Sequence, residues 1–191
     1  MLLRPAEPDD AMAVAHVHVR SWQKAYRTLI PDDFLDGLRP EDRAQRYTFG
    51  SPDPRQPWTV VAEEAGVIHG FATTGPGRDS DLPDDGELYA IYVDPGQWGR
   101  GIGNALISAA RARLRDLGFR QAALWVLAGN VLAERFYRLD GWAPDGVRRR
   151  QVSFLTGGRG PHSRFGEQGV GFGRRILPAP TTSTKFSWPP T

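Results

Sequence analysis

A run of closely spaced glycines lies between a strand pattern and a helix pattern in this chain, and it strongly limits the folds the chain can adopt. Residues 87–93 are rich in apolar and aromatic side chains, and Asp94-Pro95-Gly96 ends that strand because proline cannot donate to a ladder. From position 101 onward apolar residues recur every three or four positions, which predicts a helix that ends at Gly118. Such a junction binds anions, because the first helical turn leaves backbone N–H groups unpaired and the helix dipole adds positive charge there.

Two common phosphate-binding patterns do not fit this junction. The dinucleotide pattern G-x-G-x-x-G requires glycine at position 104 or 106, where the chain has Asn104 and Leu106. A nucleoside-triphosphate loop requires Gly-Lys followed by Ser or Thr, and the sequence contains no such tripeptide. The glycines at 101 and 103 therefore remain as the anion-binding element, with Arg100 in the same turn for a charge-assisted contact to a phosphate.

The rest of the pattern alternates between strands and helices. A strand is predicted at residues 2–4, a helix begins after Asp9 or Asp10, and a shorter helix covers residues 32–38. Residues 58–63 and 67–74 predict an antiparallel hairpin, and residues 75–86 predict a surface loop. Residues 121–127 predict an interior strand, and Asn130 begins a helix that ends at Gly141. This order predicts a mixed α/β fold.

After Ser153 the alternation of strands and helices stops. Glycine, and then proline, threonine and serine, dominate, so we expect a domain at residues 1–155 and an irregular tail at residues 156–191. Residues 151–155 or 163–170 are the candidates for the last strand of the sheet. If neither segment supplies it, a partner chain would complete that edge, which predicts a homodimer formed by strand exchange.

Composition excludes several classes of function. The 191 residues, 40% of them hydrophobic, predict one domain, and the net charge of +2 does not favour a nucleic-acid partner. The chain has no cysteine, which excludes a disulfide scaffold and a cysteine nucleophile. His16 and His18 face different sides of a helix, so no metal site is predicted. No signal peptide or membrane span is recognisable, so we expect a soluble, cytoplasmic protein with no membrane partner.

Two blocks of sequence resemble those of a known family. Positions 98–103 follow the family pattern Arg/Gln-x-x-Gly-x-Gly/Ala, except that Trp98 stands where Arg or Gln is usual. The second family block is Asn-x-x-Ala-x-x-aromatic-Tyr followed by Gly-aromatic, and its counterparts are Asn130, Ala133, Phe136, Tyr137, Gly141 and Trp142. With these blocks in order, the chain resembles the GNAT superfamily of N-acetyltransferases over roughly residues 2–146.

The resemblance implies an acyl-CoA N-acyltransferase fold, with a mixed, mainly antiparallel twisted sheet flanked by helices. It also implies transfer of the acetyl group of acetyl-CoA to a primary amine of a small molecule or protein terminus, by direct attack in a ternary complex. A non-catalytic acyl-CoA sensor or scaffold is the alternative. The implied cofactor contacts are Ile91, Tyr92, Val93, Trp98, Gly99, Arg100, Gly101, Ile102, Gly103, Asn104, Asn130 and Tyr137.

The resemblance implies catalytic roles that each have a simpler alternative. Tyr137 matches the family tyrosine that protonates the departing thiolate, although a helical tyrosine is also a common core residue. Glu87 matches the position of a frequent general base, acting directly or through water, or else is a solvated carboxylate at a strand end. Asn130 is implied to hold the amide region of the cofactor, and it is also a candidate helix N-cap.

Acceptor selection is expected to come from the first helices and the loops that bracket the thioester. Trp22, Tyr26 and Phe34 are the candidates to line that opening, although aromatic residues at helical spacing are also typical of a core. The sequence does not choose among a small amine, an amino acid, a polyamine, an antibiotic and a protein terminus.

Overall fold

The computed structural model of the chain describes residues 1–78, 85–151 and 181–188. The strands of these segments are β1 (Leu2–Pro5), β2 (Trp58–Glu64), β3 (Val67–Pro76), β4 (Gly86–Val93), β5 (Ala122–Leu127), β6 (Ala143–Gln151) and β7 (Thr181–Trp188). The helices are α1 (Ala11–Ala25), α2 (Asp32–Asp36), α3 (Pro40–Ala44), α4 (Ile102–Asp116) and α5 (Val131–Leu139). Of the five helices, α3 is the one that the sequence did not predict.

All of these strands belong to a single sheet in the order β1-β2-β3-β4-β5-β7-β6. The β4–β5 pair is parallel, and the other neighbouring pairs are antiparallel. This topology confirms the mixed, mainly antiparallel α/β fold and the predicted hairpin of β2 and β3. No helix among the described segments is long and apolar enough to cross a membrane.

Helices cover the two faces of the sheet, and side chains alternate between these faces along each strand. On one face α4 buries Leu106 and Ile107 against Leu124 of β5, in the largest of the buried clusters. On the other face α1 buries Val14 and Val17 against Phe71 of β3. The sheet is thus fixed from both sides, which holds the central strand β4 rigidly between α1 and α4.

β4 contains one residue more than the stretch of β3 that it pairs with. Thr73 lies opposite Ala90 and Thr74 lies opposite Leu88, so Tyr89 has no partner in the register. Such a bulge bends a strand and increases its twist. The parallel pairing with β5 covers residues 86–88 of β4, so it ends just before the bulge.

The last strand of the sheet comes from the C-terminal segment of the chain. β7 pairs with β5 on one side and with β6 on the other, so this chain itself supplies the strand next to β5. The predicted candidates for the last strand were residues 151–155 and 163–170. Residues 152–155 and 163–170 lie outside the described residues.

Candidate active site

A gap opens in the middle of the sheet between the C-terminal halves of β4 and β5. Pairing stops after Leu88 and Leu124, although β4 continues to Val93 and β5 to Leu127. Ile91, which faces the α4 side with the core cluster there, is only half-buried although it lies in a central strand. The strand therefore presents an edge, with its backbone hydrogen-bonding groups, to whatever enters the gap.

The glycine loop lies at the open end of β4 and leads directly into α4. Gly99 and Gly101 have φ values of 78° and 81°, in the left-handed region that favours glycine. A Cβ atom at either glycine would meet no other atom within 4 Å, so the surface above the loop is open. The geometry explains why the sequence has glycine at these positions, and it leaves room for a ligand against the backbone.

The amide groups of this loop are available to a ligand. In the part of the chain that the structure describes, no acceptor takes the N–H hydrogens of residues 99–104. The first helical hydrogen bond runs from the Ala105 N–H to the Gly101 carbonyl, at 3.1 Å. The first turn of α4 contains no acidic residue, so its dipole remains uncompensated there. A series of convergent donors at a helix start is suited to a phosphate or pyrophosphate group.

Trp98, the residue that departs from the family pattern, ties the loop to the strand. Its indole Nε1–H donates to the Val93 carbonyl at 2.8 Å, and the Ser21 hydroxyl donates to the same oxygen at 2.8 Å. Asp94 donates its N–H to His69 on β3, so by alternation the Val93 N–H points to the opposite edge, toward the gap. Of the two backbone groups of Val93, the N–H is the one that remains for a cofactor.

An ion pair between α1 and the start of the loop fixes the same corner. Arg20 on α1 contacts the Asp94 carboxylate at 2.5 Å, and the other carboxylate oxygen accepts the Gly96 N–H at 3.0 Å. The Asp94 carboxylate thus joins a helix to the first turn of the loop. Sequence reasoning did not find these roles, because Arg20 and Asp94 are far apart in the chain and neither belongs to a local pattern.

Arg100 points away from the first turn of α4. Its guanidinium group contacts the Gln97 side chain and lies 3.5 Å from the Glu64 carboxylate at the end of β2. Its side chain is 56% exposed, so it can turn toward a bound anion with little loss of packing. The predicted phosphate contact from Arg100 therefore requires a side-chain rotation.

Gly103 is needed for a close approach between helices rather than for backbone conformation. A Cβ atom at this position would lie 3.2 Å from Phe136 on α5 and 4.0 Å from Val93. The short contact explains how α5 comes against the start of α4, where Phe136 covers one side of the helix start. The two sequence blocks that resemble the family thus meet in space.

Asn130 and Tyr137 bring α5 to the gap. The Asn130 side chain accepts the Ala133 N–H at 3.1 Å, which confirms the predicted N-cap. Tyr137 is 8% exposed, and no described residue hydrogen-bonds its hydroxyl group. Burial raises the pKa of Tyr137 and nearby Tyr92 raises it further, so the phenol stays protonated across the physiological range.

Tyr26 and Tyr92 join Asn130 and Tyr137 in one cluster. The Tyr26 hydroxyl lies near the side chains of Tyr92 and Asn130, and Tyr137 lies near both tyrosines. Burial raises the pKa of Tyr26 well above its usual value and also raises that of Tyr92. Neutral phenols from the end of α1, from β4 and from α5 therefore lie together beside the gap.

Glu87 stands apart from this cluster at the closed end of β4. Its carboxylate is 4% exposed, and both of its oxygens bind the Arg78 guanidinium group, the shortest contact being 2.5 Å. Arg78 also lies over the Tyr89 ring, 4.1 Å from its centre. Because a strand rises by about 3.3 Å per residue, Glu87 is about 13 Å along β4 from Ile91. A base at Glu87 would reach the gap through water, and no local pattern in the sequence indicated its arginine partner.

The three residues predicted to line the acceptor opening lie together on the α1 side of the sheet. Trp22 is 7% exposed and belongs to a buried cluster with Leu35, against which Tyr26, Phe34 and Tyr92 pack. Trp22 is thus a core residue, whereas Tyr26 and Phe34 are half-buried at the edge of this cluster. Tyr26 is also part of the wall beside the gap. No group of acidic, histidine or cysteine side chains among the described residues is placed to hold a metal ion.

Comparisons with known proteins agree with this geometry. The sequence model described as Acetyltransferase (GNAT) family matches residues 18–142. The chain is 32% identical over 157 residues to the uncharacterized N-acetyltransferase YuaI of Bacillus subtilis, covering 78% of this chain and 89% of that protein. It is 36% identical over 106 residues to the mycothiol acetyltransferase of Thermobispora bispora, but this match covers 50% of the chain and only 36% of that relative.

Solved structures show the same fold at low sequence identity. The PaiA N-acetyltransferase of Thermoplasma acidophilum, in complex with coenzyme A, superposes with a TM-score of 0.68 at 14% identity and covers 98% of each chain. At that identity the likeness supports the fold alone. The family match over residues 18–142, which includes the glycine loop, the gap and Tyr137, establishes that this chain belongs to the acetyltransferase (GNAT) family.

Proposed function

We propose that this protein transfers the acetyl group of acetyl-CoA directly to a primary amine of a small molecule or a protein terminus. The observation that carries the proposal is the row of free N–H groups at residues 99–104, next to the unpaired edge of β4. One structure of the same fold holds coenzyme A, which supports a coenzyme A thioester as the donor. No metal is needed, because an amine attacks a thioester without one.

The donor is placed by the backbone of β4 and of the loop. Its pyrophosphate accepts hydrogen bonds from the N–H groups at the start of α4, as an anion does at any uncompensated helix start. Its pantetheine arm lies along β4 in the gap, where Ile91 and Val93 present their N–H groups like the edge of a strand. In this placement the amide region of the arm lies beside Asn130, and the thioester lies near the tyrosine cluster.

The reaction moves one acyl group and two protons. The neutral amine attacks the thioester carbonyl carbon, so a C–N bond forms and a tetrahedral intermediate carries the charge on oxygen. When the C–S bond breaks, the thiolate takes the proton of the Tyr137 hydroxyl. The ammonium proton leaves through water to Glu87, and solvent then returns a proton to Tyr137. No covalent acyl-enzyme forms.

The loop assignment is tested by calorimetric titration of acetyl-CoA into matched variants. Gly101→Asp places a negative charge where the diphosphate binds, and we expect affinity to fall about 100-fold. Gly101→Asn is the control, because asparagine tolerates a positive φ and adds no charge. Wild-type affinity in Gly101→Asp, with the fold intact by circular dichroism, would refute the assignment.

The base is tested by the pH dependence of turnover. Glu87→Gln removes the carboxylate and keeps the shape of the side chain, so we expect slower thiol release and a changed pH profile at unchanged acetyl-CoA affinity. Arg78→Gln is the companion variant, because it frees the carboxylate while leaving Glu87 in place. If both variants show the wild-type pH profile, the proton leaves by another path.

A non-catalytic acyl-CoA sensor is the second candidate, and the ion pair of Glu87 with Arg78 is the observation that favours it. Such a protein would bind acetyl-CoA and release no thiol with any amine. Thiol release across a panel of amines therefore separates the two functions once cofactor binding has been measured.

A further inference from the structure

A narrow pocket lies between α1 and the segment that contains α3, on the side of the sheet opposite α4. Its walls come from α1 and from residues 38–46. The polar and aromatic lining residues are His18, Trp22, Arg39, Asp42, Arg43 and Arg46. The mechanism described above uses none of the charged groups, so their concentration at one opening requires another explanation.

The lining carries more positive than negative charge. Three arginines face one carboxylate, that of Asp42. His18 adds no charge, because burial, and then the charge of Arg43, hold its pKa well below the usual value. An anion that enters this opening therefore meets a net positive lining.

Arg39 and Arg43 have no carboxylate partner within the described ranges. Arg39 donates to the backbone carbonyls of Asp36 and Leu38, at 2.9 and 3.2 Å. Arg43 donates to the Tyr47 hydroxyl at 3.3 Å and lies over its ring. By contrast Arg27, on the neighbouring turn, is paired with Asp36 at 2.5 Å. The bonds to neutral oxygens orient the two guanidinium groups and leave their charge uncompensated.

The pocket is adjacent to the part of β4 that lines the gap. The His18 ring, at the pocket wall, lies 4.6 Å from the Tyr92 ring, centre to centre. Tyr92 stands between Ile91 and Val93, whose backbone borders the gap, and it packs in the same aromatic cluster as Trp22. A molecule anchored in the pocket thus lies on the α1 side of β4, one aromatic layer from the proposed thioester position.

We propose that the acceptor of this enzyme carries a carboxylate group, and that Arg39 and Arg43 bind this carboxylate in the pocket while the amine reaches the thioester. The inference rests on the proposed acetyl transfer. Guanidinium groups match carboxylates with two parallel hydrogen bonds, and a narrow pocket admits such a group better than it admits a ring. The acceptor class is therefore a small amino acid or another amine with an acidic end, rather than a polyamine.

The test compares ω-amino acids of one to six methylene groups with the corresponding ω-amino amides. Each pair differs only in the charge of the end group, and thiol release from acetyl-CoA gives kcat/KM for both. For the wild type we expect the acid to be favoured by about 10- to 100-fold at one chain length, because charge-assisted hydrogen bonds form only with the carboxylate. That length measures the span from the pocket to the thioester.

Arginine variants separate the pocket from general electrostatic attraction. Arg39→Gln and Arg43→Gln should each raise KM for the acid about tenfold and leave kcat/KM for the amide unchanged. Arg55→Gln is the matched control, because Arg55 pairs with Asp53 and does not line the pocket. Arg39→Gln is the cleaner variant, because within the described segments Arg39 bonds only to backbone carbonyls, whereas Arg43 also supports Tyr47.

Two results would overturn the inference. One is equal kcat/KM for acid and amide at every chain length in the wild type, and the other is an acid preference that survives in both arginine variants. If no probe is acetylated, acetyl transfer to amines of this kind fails, and calorimetric titration of the same acids and amides then decides the pocket separately. Acids that bind no better than their amides would show that the pocket does not select carboxylates.

Discussion

The two ends of β4 differ in how completely their hydrogen bonds are used. At the closed end, residues 86–88 pair with β3 on one side and β5 on the other, and all three are buried. At the open end, residues 91–93 pair with β3 alone and are half-buried. The unpaired Tyr89 separates the two ends. One extra residue in one strand thus divides a half that is paired on both sides from a half that leaves one edge open.

One strand thus combines a section that is paired on both sides with a section whose second edge is open. The closed end keeps the sheet together through the core cluster around Leu88 and Leu124. The open end is held from outside the sheet, by Ser21 and Trp98 on the Val93 carbonyl and by the ion pair of Arg20 with Asp94. Substitutions of core residues at the closed end should therefore act on stability, and substitutions at the open end should act on cofactor affinity and rate.

The largest effect is expected for Leu124→Ala at the closed end. Leu124 is 1% exposed, and removing its side chain leaves a cavity that costs about 3 kcal/mol in the free energy of unfolding. Ile91→Ala at the open end is the matched variant, and it should cost about 1 kcal/mol because that site is half solvated. Urea denaturation measures both values. Equal losses would show that the two ends are not energetically distinct.

Removal of the Tyr137 hydroxyl should act on rate alone. Tyr137→Phe keeps the packing of the ring and removes the proton donor for the thiolate, so kcat should fall about 100-fold at unchanged acetyl-CoA affinity. Tyr89→Phe is the control, since the Tyr89 hydroxyl bonds to the Pro76 carbonyl rather than facing the cluster. A kcat for Tyr137→Phe equal to that of the wild type at every pH would exclude Tyr137 as the acid.

A smaller change is expected when the loop loses its link to the strand. Trp98→Phe removes the hydrogen bond to the Val93 carbonyl and should weaken acetyl-CoA binding about tenfold, because the loop is then less well ordered before binding. Trp188→Phe in β7, next to the closed end of β5, should leave affinity unchanged. Calorimetry on the two variants measures the difference. Equal affinities would mean that Trp98 does not organise the loop.

The last effect concerns the bulge, and it is absent at neutral pH and appears only at high pH. Burial, with the negative charge of Glu87 nearby, raises the pKa of Tyr89 to about 12. The unfolded chain releases this proton near pH 10, so the folded state loses stability as the pH rises from about 10 toward 12. Tyr89→Phe should flatten the fall in unfolding free energy between these pH values. A slope identical to that of the wild type would contradict the raised pKa.

Local patterns were sufficient to predict the parts of the site that lie on continuous segments. The closely spaced glycines and the apolar spacing of α4 predicted the start of that helix at Gly101. Asn130, as a candidate N-cap, predicted the start of α5. α3 was missed because five residues without a buried side chain give no periodic signal. The strand β7 was missed because its threonines and serines follow a segment rich in glycine and proline.

Contacts between distant segments could not be predicted from the sequence. Nothing in the pattern of β4 indicates that Tyr89 is the extra residue, because a bulge depends on the register with β3. The partners of Glu87 and Asp94, which are Arg78 and Arg20, likewise lie outside any local spacing. The family resemblance supplied roles for side chains, whereas these contacts decide how each side chain is held.

The proposed binding mode of the cofactor can be decided by a crystal structure of the acetyl-CoA complex. We predict that pyrophosphate oxygens lie about 2.7–3.2 Å from the N–H nitrogens at the start of α4. We also predict that the pantetheine arm follows the edge of β4 at Ile91 and Val93. A nucleotide bound elsewhere, with the N–H groups of residues 99–104 facing solvent, would exclude this binding mode.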